Sequence, residues 1–318
     1  MRKYLGTTLK VVFAAGIIFW MVQSGKIDFR TLPGILHPVY LPLAILLMFV
    51  NAMAMAHRWK ILVNAQGLEM KFWDALKLFL VGVFFNFAMP GGVGGDVVKG
   101  YYMTRKRPDR KVDAALSVLM DRIMGLYAMI LMAAVMMLLD FPKVRETPGL
   151  SFLFLMSLGL AVGATVFLLL AFSPQVRGLE KIWRRVQEYK IGRALFKVYI
   201  SIHVYGKHPQ VLLKTILWSW VAQTTAILFF VNVGAAFQMT EIPLIAYFFV
   251  CPLGFMITAI PISPAGVGMG QAAFYYLFNL YTGAQSDFGS NAITLMQIFQ
   301  FIVGFAGAFF YLRMKKEK

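Results

Sequence analysis

The sequence predicts an all-α polytopic integral membrane protein, and three observations support this fold class. First, 59% of the 318 residues are hydrophobic and only 14% are charged, which is far from the balance of a soluble globular domain. Second, four charge-free runs each exceed the roughly 20 apolar residues needed to cross a bilayer. Third, these runs are too long and too continuously apolar for the strands of an outer-membrane barrel. The four runs are 147–176, 215–240, 242–286 and 288–312.

Charge-poor stretches give the order of the predicted elements along the chain. We expect about six full spans and two longer stretches that glycine residues interrupt. The spans lie near 5–23, 39–56, 114–139, 150–172, 210–233 and 291–312. The two interrupted stretches are 72–103 and 242–282.

The distribution of basic residues predicts the orientation of these spans. Most of the 31 Lys and Arg residues fall on one side of the membrane when the N-terminus is placed inside, which is the cytoplasmic side by the positive-inside rule. We therefore expect a multi-pass protein of a bacterial-type inner membrane with both termini cytoplasmic. Each interrupted stretch must then cross an even number of times, as a re-entrant hairpin or as two short half-spans.

The stretch 5–23 has a second interpretation as a signal peptide, because Arg2 and Lys3 precede an apolar region. Its apolar part is longer than a usual signal-peptide core, and no clear A-x-A-like cleavage site follows before Lys26. We therefore expect a retained span.

The formal net charge of +17 does not indicate a nucleic-acid partner in a chain of this kind, because basic residues mark the cytoplasmic face and attract anionic lipids. Part of that charge lies at 174–209, which we interpret as a cytoplasmic amphipathic connector. The single cysteine, Cys251, gives neither a disulfide framework nor a Cys-based zinc spacing, and the four His residues are scattered. We expect no metal and no cofactor.

Two short motifs match at four of five positions and occupy the middle of the interrupted stretches. They read PGGVG at 90–94 and PAGVG at 264–268. Because one stretch enters from inside and the other from outside, they predict an inverted repeat whose broken helices meet near the midplane and form a substrate site. The alternative is that Gly and Pro only kink ordinary spans and pack helices.

The repeat divides one transmembrane domain, 1–318, into two related halves. The first repeat covers 1–139 with its hairpin at 72–103, and the second covers 210–318 with its hairpin at 242–282.

Four further motifs occur along the chain: NFAMPGGVGGDVVK at 86–99, HRW at 57–59, DR at 121–122 and PISPAGVG at 261–268. Together they resemble the flippase-like transmembrane family of lysylphosphatidylglycerol synthases. The family pattern departs at Ala265, where a Gly is usual, and at Gln271, where a Glu is usual, so a role that needs a titrating carboxylate there is not expected. The resemblance implies the lipid-translocating half of such a synthase, without the aminoacyl-transfer domain and without lysine transfer.

Two adjacent charges lie deep in a predicted span. Asp121 and Arg122 are about eight residues into 114–139, roughly 12 Å along the helix axis, where an unpaired charge costs several kcal/mol. Adjacent residues point about 100° apart on a helix, so each needs another partner. We expect Arg122 to bind the phosphate of an anionic lipid and Asp121 to pair with Lys99 or to order the first hairpin. The alternative is an Asp96–Arg122 or Asp121–Lys99 ion pair that only fixes the fold.

Asp96 follows two glycines at the turn of the first hairpin. Three roles are open to it: binding a cation or proton, capping the next helical turn, or pairing with Arg122. The residues expected to bind substrate are Arg122, Lys99, Asp96, Asp121, Gly92, Gly94, Gly266, Gly268 and Gln271. The prolines expected to shape the hairpins are Pro90, Pro261 and Pro264.

The function that these features favour is translocation of an anionic phospholipid or lipid-linked headgroup across the cytoplasmic membrane. The expected partners are membrane lipids with anionic headgroups, and the sequence does not predict an oligomeric state. Two alternatives remain: a membrane-embedded enzyme that modifies lipids, and a non-transporting scaffold for one. A transporter is favoured over an enzyme, because the only dense group of reactive side chains is Asp96, Lys99, Asp121 and Arg122, and no nucleotide motif is present.

Overall fold

The computed structural model describes residues 19, 23, 32–88, 94–172, 202–239, 241–260 and 262–316. Over these residues the secondary structure is helical and contains no strand. The predicted all-α fold class is confirmed. The predicted first span at 5–23, apart from the two isolated residues, and most of the predicted connector at 174–209 lie outside the described residues.

The α-helices are numbered in chain order. They are α1 (Tyr40–Ala65), α2 (Phe72–Ala88), α3 (Gly94–Lys106), α4 (Lys111–Leu139), α5 (Phe141–Glu146), α6 (Pro148–Phe172), α7 (Pro209–Ala236), α8 (Leu244–Thr258), α9 (Met269–Thr282) and α10 (Phe288–Lys316). Short 3-10 helices occur at Leu32–Leu36, Pro108–Arg110 and Pro264–Gly266.

Among the described residues, five helices are long and apolar enough to cross a membrane: α1, α4 together with the preceding 3-10 turn, α6, α7 and α10. They coincide with the predicted spans near 39–56, 114–139, 150–172, 210–233 and 291–312. The protein is therefore a multi-pass membrane protein.

The main difference from the predicted boundaries is the end of α1. The helix runs to Ala65, nine residues beyond the predicted end of the span 39–56. Arg58 and Lys60 lower the local hydropathy, which suggested a cytoplasmic loop. Arg58 is nevertheless only 3% exposed, because helix packing supplies it with an anionic partner.

Each interrupted stretch consists of two helices that pack against each other, α2 with α3 and α8 with α9. A close backbone contact joins α2 to α3. A Cβ atom added at Gly95 would lie 2.6 Å from the carbonyl oxygen of Gly82, so glycine is required there. The amide of Gly95 also donates to Asn86 Oδ1 at 2.8 Å, which fixes the start of α3 against the end of α2.

The two halves of the chain make corresponding helix contacts. The helix before each interrupted stretch packs against its counterpart, α1 against α7. These two helices run in opposite directions, because Asn51 Nδ2 donates to Ala222 O at 2.7 Å and Asn232 Nδ2 donates to Tyr40 O at 2.9 Å. Helix α2 packs on α10 and, correspondingly, α8 packs on α4. A twofold axis that relates two inverted halves would place each of these contacts opposite its counterpart.

A large hydrophobic core lies in the second half, where α7, α8, α9 and α10 meet. Phe230 and Phe274, both fully buried, stack with their ring centroids 4.7 Å apart. A smaller core of buried residues joins α1, α2, α3 and the start of α4 around Trp59. The charged side chains described below lie beside this smaller core.

Candidate functional site

Five charged side chains from three helices lie close together inside the helix bundle. Helix α1 contributes Arg58, α3 contributes Asp96 and Lys99, and α4 contributes Asp121 and Arg122. Their ion-pair distances run from 2.7 to 4.0 Å. The structure thus brings together the four charged residues singled out in the sequence and adds Arg58.

Asp121 is the buried anion of this cluster, with its side chain 7% exposed. Its Oδ1 accepts a hydrogen bond from Arg58 Nε at 2.7 Å, and its Oδ2 lies 3.6 Å from Lys99 Nζ. Arg58 Nη1 donates in addition to Ser219 Oγ on α7 at 3.2 Å. Two cations therefore share one carboxylate, which reduces the cost of holding all three charges away from water.

Lys99 obtains further stabilisation from aromatic rings. Its ammonium group lies 5.2 Å from the centroids of both the Trp59 and Phe79 rings. The negative faces of aromatic rings attract a cation at this range. Since the Lys99 side chain is only 7% exposed, these contacts replace much of the water that a free ammonium would bind.

Arg122 links the two interrupted stretches. Its Nη1 donates to Asp96 Oδ2 on α3 at 3.1 Å, and its Nη2 donates to the carbonyl oxygen of Ala259 after α8 at 2.8 Å. The Arg122 and Asp96 side chains are 30% and 35% exposed. Arg122 is therefore the cation of the cluster that an incoming ligand can reach most easily.

A cavity of about 310 Å³, which we call the charged cavity, lies against the cluster. Its volume is within the size range of small-molecule sites. Its walls come from α1, α2, α3, α4, α10 and the connection between α8 and α9. Three cations and two carboxylates line it, which leaves one formal positive charge. The amide side chains of Asn51, Asn86 and Gln300 also line it. The cavity can hold a group with one negative charge and several hydrogen-bond acceptors.

The glycine motif of the second stretch forms the tight connection from α8 to α9. Gly266 and Gly268 have φ angles of 72° and 85°, in the left-handed region that favours glycine. Ala265 also has a positive φ of 48°, at the position where the resembled pattern has a Gly. Its carbonyl oxygen accepts a hydrogen bond from Gln297 Nε2 at 3.3 Å, which helps to hold this conformation.

Replacing Gly266 with Ala is expected to destabilise this connection. The left-handed conformation costs a residue with a Cβ atom about 1–2 kcal/mol, and the new Cβ would lie 2.8 Å from Thr258 Cβ. Thermal unfolding in detergent should show a lower midpoint for Gly266→Ala. Gly159→Ala on α6 is the matched control, because nothing lies within 4 Å of its added Cβ. Equal midpoints for the two variants would contradict this account of the connection.

The other residues predicted from the motifs have different positions. Gly94 is the first residue of α3, and Pro264 begins the 3-10 helix Pro264–Gly266. Pro90, Gly92 and Pro261 lie outside the described residues.

Gln271 is 1% exposed, and it is not among the described residues that line the charged cavity. Its Oε1 accepts from the amide of Gly268 at 2.7 Å, and its Nε2 donates to Gln297 Oε1 at 2.7 Å and to Thr294 Oγ1 at 3.1 Å. These bonds order the start of α9 and fix it to α10.

Arg58 is the residue of the cavity that sequence reasoning did not include among the binding residues. The predicted span 39–56 ends two residues before Arg58, which leaves Arg58 among the basic residues expected on the cytoplasmic side. The available signal was its place beside Trp59 in the HRW motif, with no Gly or Pro between it and that span. Helix α1 continues without interruption through Arg58 and places it inside the bundle, where its Nε lies 2.7 Å from Asp121 Oδ1 on α4.

Comparison with known families tests the resemblance that the motifs suggested. The family model described as the lysylphosphatidylglycerol synthase TM region matches residues 7–308. The chain belongs to this family. No curated protein and no solved structure matches it.

As a lysylphosphatidylglycerol synthase TM-region protein, the chain is a multi-pass membrane protein of a lipid-related family, and its predicted family membership is confirmed. The match includes every described charged residue of the cavity. Among the described residues, no group of three or more His, Cys, Asp or Glu side chains could hold a metal ion. The cavity presents guanidinium, ammonium, carboxylate and amide groups to a ligand.

Proposed function

We propose that this protein translocates an anionic phospholipid, or a lipid-linked anionic headgroup, between the two leaflets of the membrane. The observation that supports this proposal best is the cavity with one formal positive charge, built where the two interrupted stretches meet. Charged side chains inside a membrane bundle are costly and usually mark a substrate pathway. A charged headgroup crossing the bilayer needs such a compensated, polar route.

The arrangement of the cations suggests how a phosphate would bind. Arg58 and Lys99 are held by Asp121 and are nearly inaccessible. Arg122 is more exposed and has five N–H donors, only part of which bond Asp96 and Ala259 O. A phosphate at Arg122 would take the place of Asp96 with a short charge-assisted contact. Lys99, 4.0 Å from Asp96, would remain as the counter-ion of the released carboxylate.

This binding mode also suggests how translocation would proceed. Arg122 bonds α3 of the first stretch and the carbonyl at the end of α8 of the second. When the phosphate replaces Asp96 at Arg122, this link between the two stretches is released. The corresponding contacts of the two halves, α2 with α10 and α8 with α4, support an inverted repeat, in which one half can rock against the other to open alternate sides.

We also propose that the protein lies in an inner membrane with both termini cytoplasmic, because this orientation puts most Lys and Arg residues on the cytoplasmic side.

The direct test is lipid translocation in vesicles that contain the purified protein. Phosphatidylglycerol with a fluorescent label is bleached by dithionite, which reaches only the outer leaflet. Vesicles that contain the protein should lose a larger fraction of their fluorescence than the fraction of label in the outer leaflet. Vesicles without protein should lose only the outer-leaflet fraction. Labelled phosphatidylcholine, which has no net charge, should be translocated more slowly. Equal bleaching with and without protein across several headgroups would reject the proposal, and a covalent change of the lipid, detected by mass spectrometry, would favour a lipid-modifying enzyme.

A further inference from the structure

A second and larger cavity opens beside the charged one. Its volume is about 620 Å³, and α1, α2, α10 and the 3-10 helix Leu32–Leu36 form its walls. Every described residue that lines it is apolar. We call it the apolar groove. The function proposed above does not by itself account for the groove.

The apolar groove adjoins the charged cavity, because Met48, Ala52 and Val303 line both. Helix α1 shows this arrangement most directly. From Arg58 and Met55 in the charged cavity, lining residues recur every three or four positions through Met48 to Ile45 and Leu41 in the groove. This spacing places them on one face of the helix, over a length of roughly 26 Å at 1.5 Å per residue.

The far part of the groove is open at the surface of the bundle. Ile45 and Phe49 on α1 are 55% and 53% exposed, and Ile298 and Ile302 on α10 are 41% and 58% exposed. Both helices are long and apolar enough to span the membrane. A groove that opens between two such helices is accessible from the hydrocarbon of the bilayer, which supplies acyl chains as an apolar occupant.

We infer that the apolar groove holds an acyl chain of the lipid whose phosphate binds at Arg122. This inference rests on the proposed function and narrows its substrate class. The substrate is an intact membrane lipid that enters sideways from the bilayer, with its anionic headgroup in the charged cavity and a chain between α1 and α10. A water-soluble headgroup without a chain would fill only the charged cavity and would leave the apolar groove empty.

The test measures lipid retention on the purified protein by native mass spectrometry, with long-chain dioleoyl and short-chain dihexanoyl phosphatidylglycerol as probes. Ile302→Trp puts a bulky ring into the groove, and a ring that takes up the space of the acyl chain should lower retention of the long-chain lipid roughly tenfold. The short-chain lipid reaches little of the groove, so its retention should stay at the wild-type level. Arg122→Gln should weaken retention of both lipids.

The matched control is Leu169→Trp on α6, where Leu169 is 66% exposed and does not line the groove. It should retain both lipids as the wild type does. Ile45→Trp fills the groove from α1 and guards against a folding defect specific to Ile302→Trp. The inference is overturned if both groove variants retain the long-chain lipid normally, or if Leu169→Trp loses it equally.

The proposed function and this inference can fail separately. Groove-dependent retention in a protein that moves no lipid between leaflets would reject translocation and leave the lipid site in place. Translocation that both groove variants leave unchanged, with normal long-chain retention, would reject the acyl-chain site alone.

Discussion

Replacing Arg122 with Gln is expected to lower the rate of phosphatidylglycerol translocation roughly tenfold to a hundredfold, because a hydrogen bond to a charged group contributes about 1.5–3 kcal/mol. The Gln side chain is shorter than that of Arg and has no charge for the phosphate. The fold should tolerate the change, because Arg122 and Asp96 are each about one third exposed and Lys99 remains 4.0 Å from Asp96 as its counter-ion. The measurement is dithionite bleaching at equal protein content.

Arg105→Gln is the control for this experiment. Arg105 is an exposed residue near the end of α3, outside the charged cavity, and it bonds the hydroxyl of Tyr101 at 3.3 Å. Its loss should leave translocation near the wild-type rate. Arg122→Lys keeps the charge without the planar fork, so an intermediate rate is expected. If folded yield collapses together with translocation in Arg122→Gln, Arg122 serves the fold and its role as a ligand loses support.

Replacing Asp121 with Asn is expected to destabilise the protein by about 3–5 kcal/mol, since it leaves the buried Arg58 without a counter-charge and removes the nearer of the two carboxylates beside Lys99. Arg58 and Lys99 would lose the carboxylate that lies 2.7 and 3.6 Å from them. Thermal unfolding in detergent, followed by the loss of monodisperse protein on gel filtration, measures the effect. The double variant Asp121→Asn with Lys99→Met should recover part of the lost stability, because it also removes one of the two cations that Asp121 neutralises.

Asp74→Asn is the control, because the Asp74–Lys106 ion pair differs from the Asp121–Lys99 ion pair mainly in burial. Asp74 lies 3.6 Å from Lys106, the same distance that separates Asp121 from Lys99, but these two side chains are 43% and 61% exposed. An exposed pair of this kind contributes about 1 kcal/mol or less. If Asp121→Asn lowers the unfolding midpoint no more than Asp74→Asn does, the charged cluster does not stabilise the fold.

The positions of the five spans in the described residues could be predicted from the sequence, whereas the end of α1 could not. The apolar runs that form α6 and α10 exceed the thickness of the bilayer by themselves, so they identify spans without knowledge of their neighbours. Arg58 interrupts such a run, and local hydropathy then ends the span too early. Only the approach of α4, which brings Asp121 within 2.7 Å of Arg58, explains why the helix continues into a region of low hydropathy.

The motifs predicted the two interrupted stretches, but they did not distinguish polar residues that line the charged cavity from polar residues that are buried in hydrogen-bond networks. Arg122 and Gln271 were both expected to bind substrate. The structure places Arg122 in the charged cavity and Gln271 in a buried hydrogen-bond network with Gly268 and Gln297. Both are polar residues in apolar surroundings, so sequence pattern alone treats them alike.

Residues that are neighbours along the chain are enough to predict the fold class, the five spans in the described residues, the two interrupted stretches and the family. Which charges pair, and which cation faces the cavity, depends on how the helices pack. Arg58 and Asp121 are 63 residues apart, and Arg122 and Ala259 are 137 residues apart. Hydrophobic length is a sum over one segment, whereas the energy of a buried charge depends on the distance to a partner in another segment, which packing alone sets.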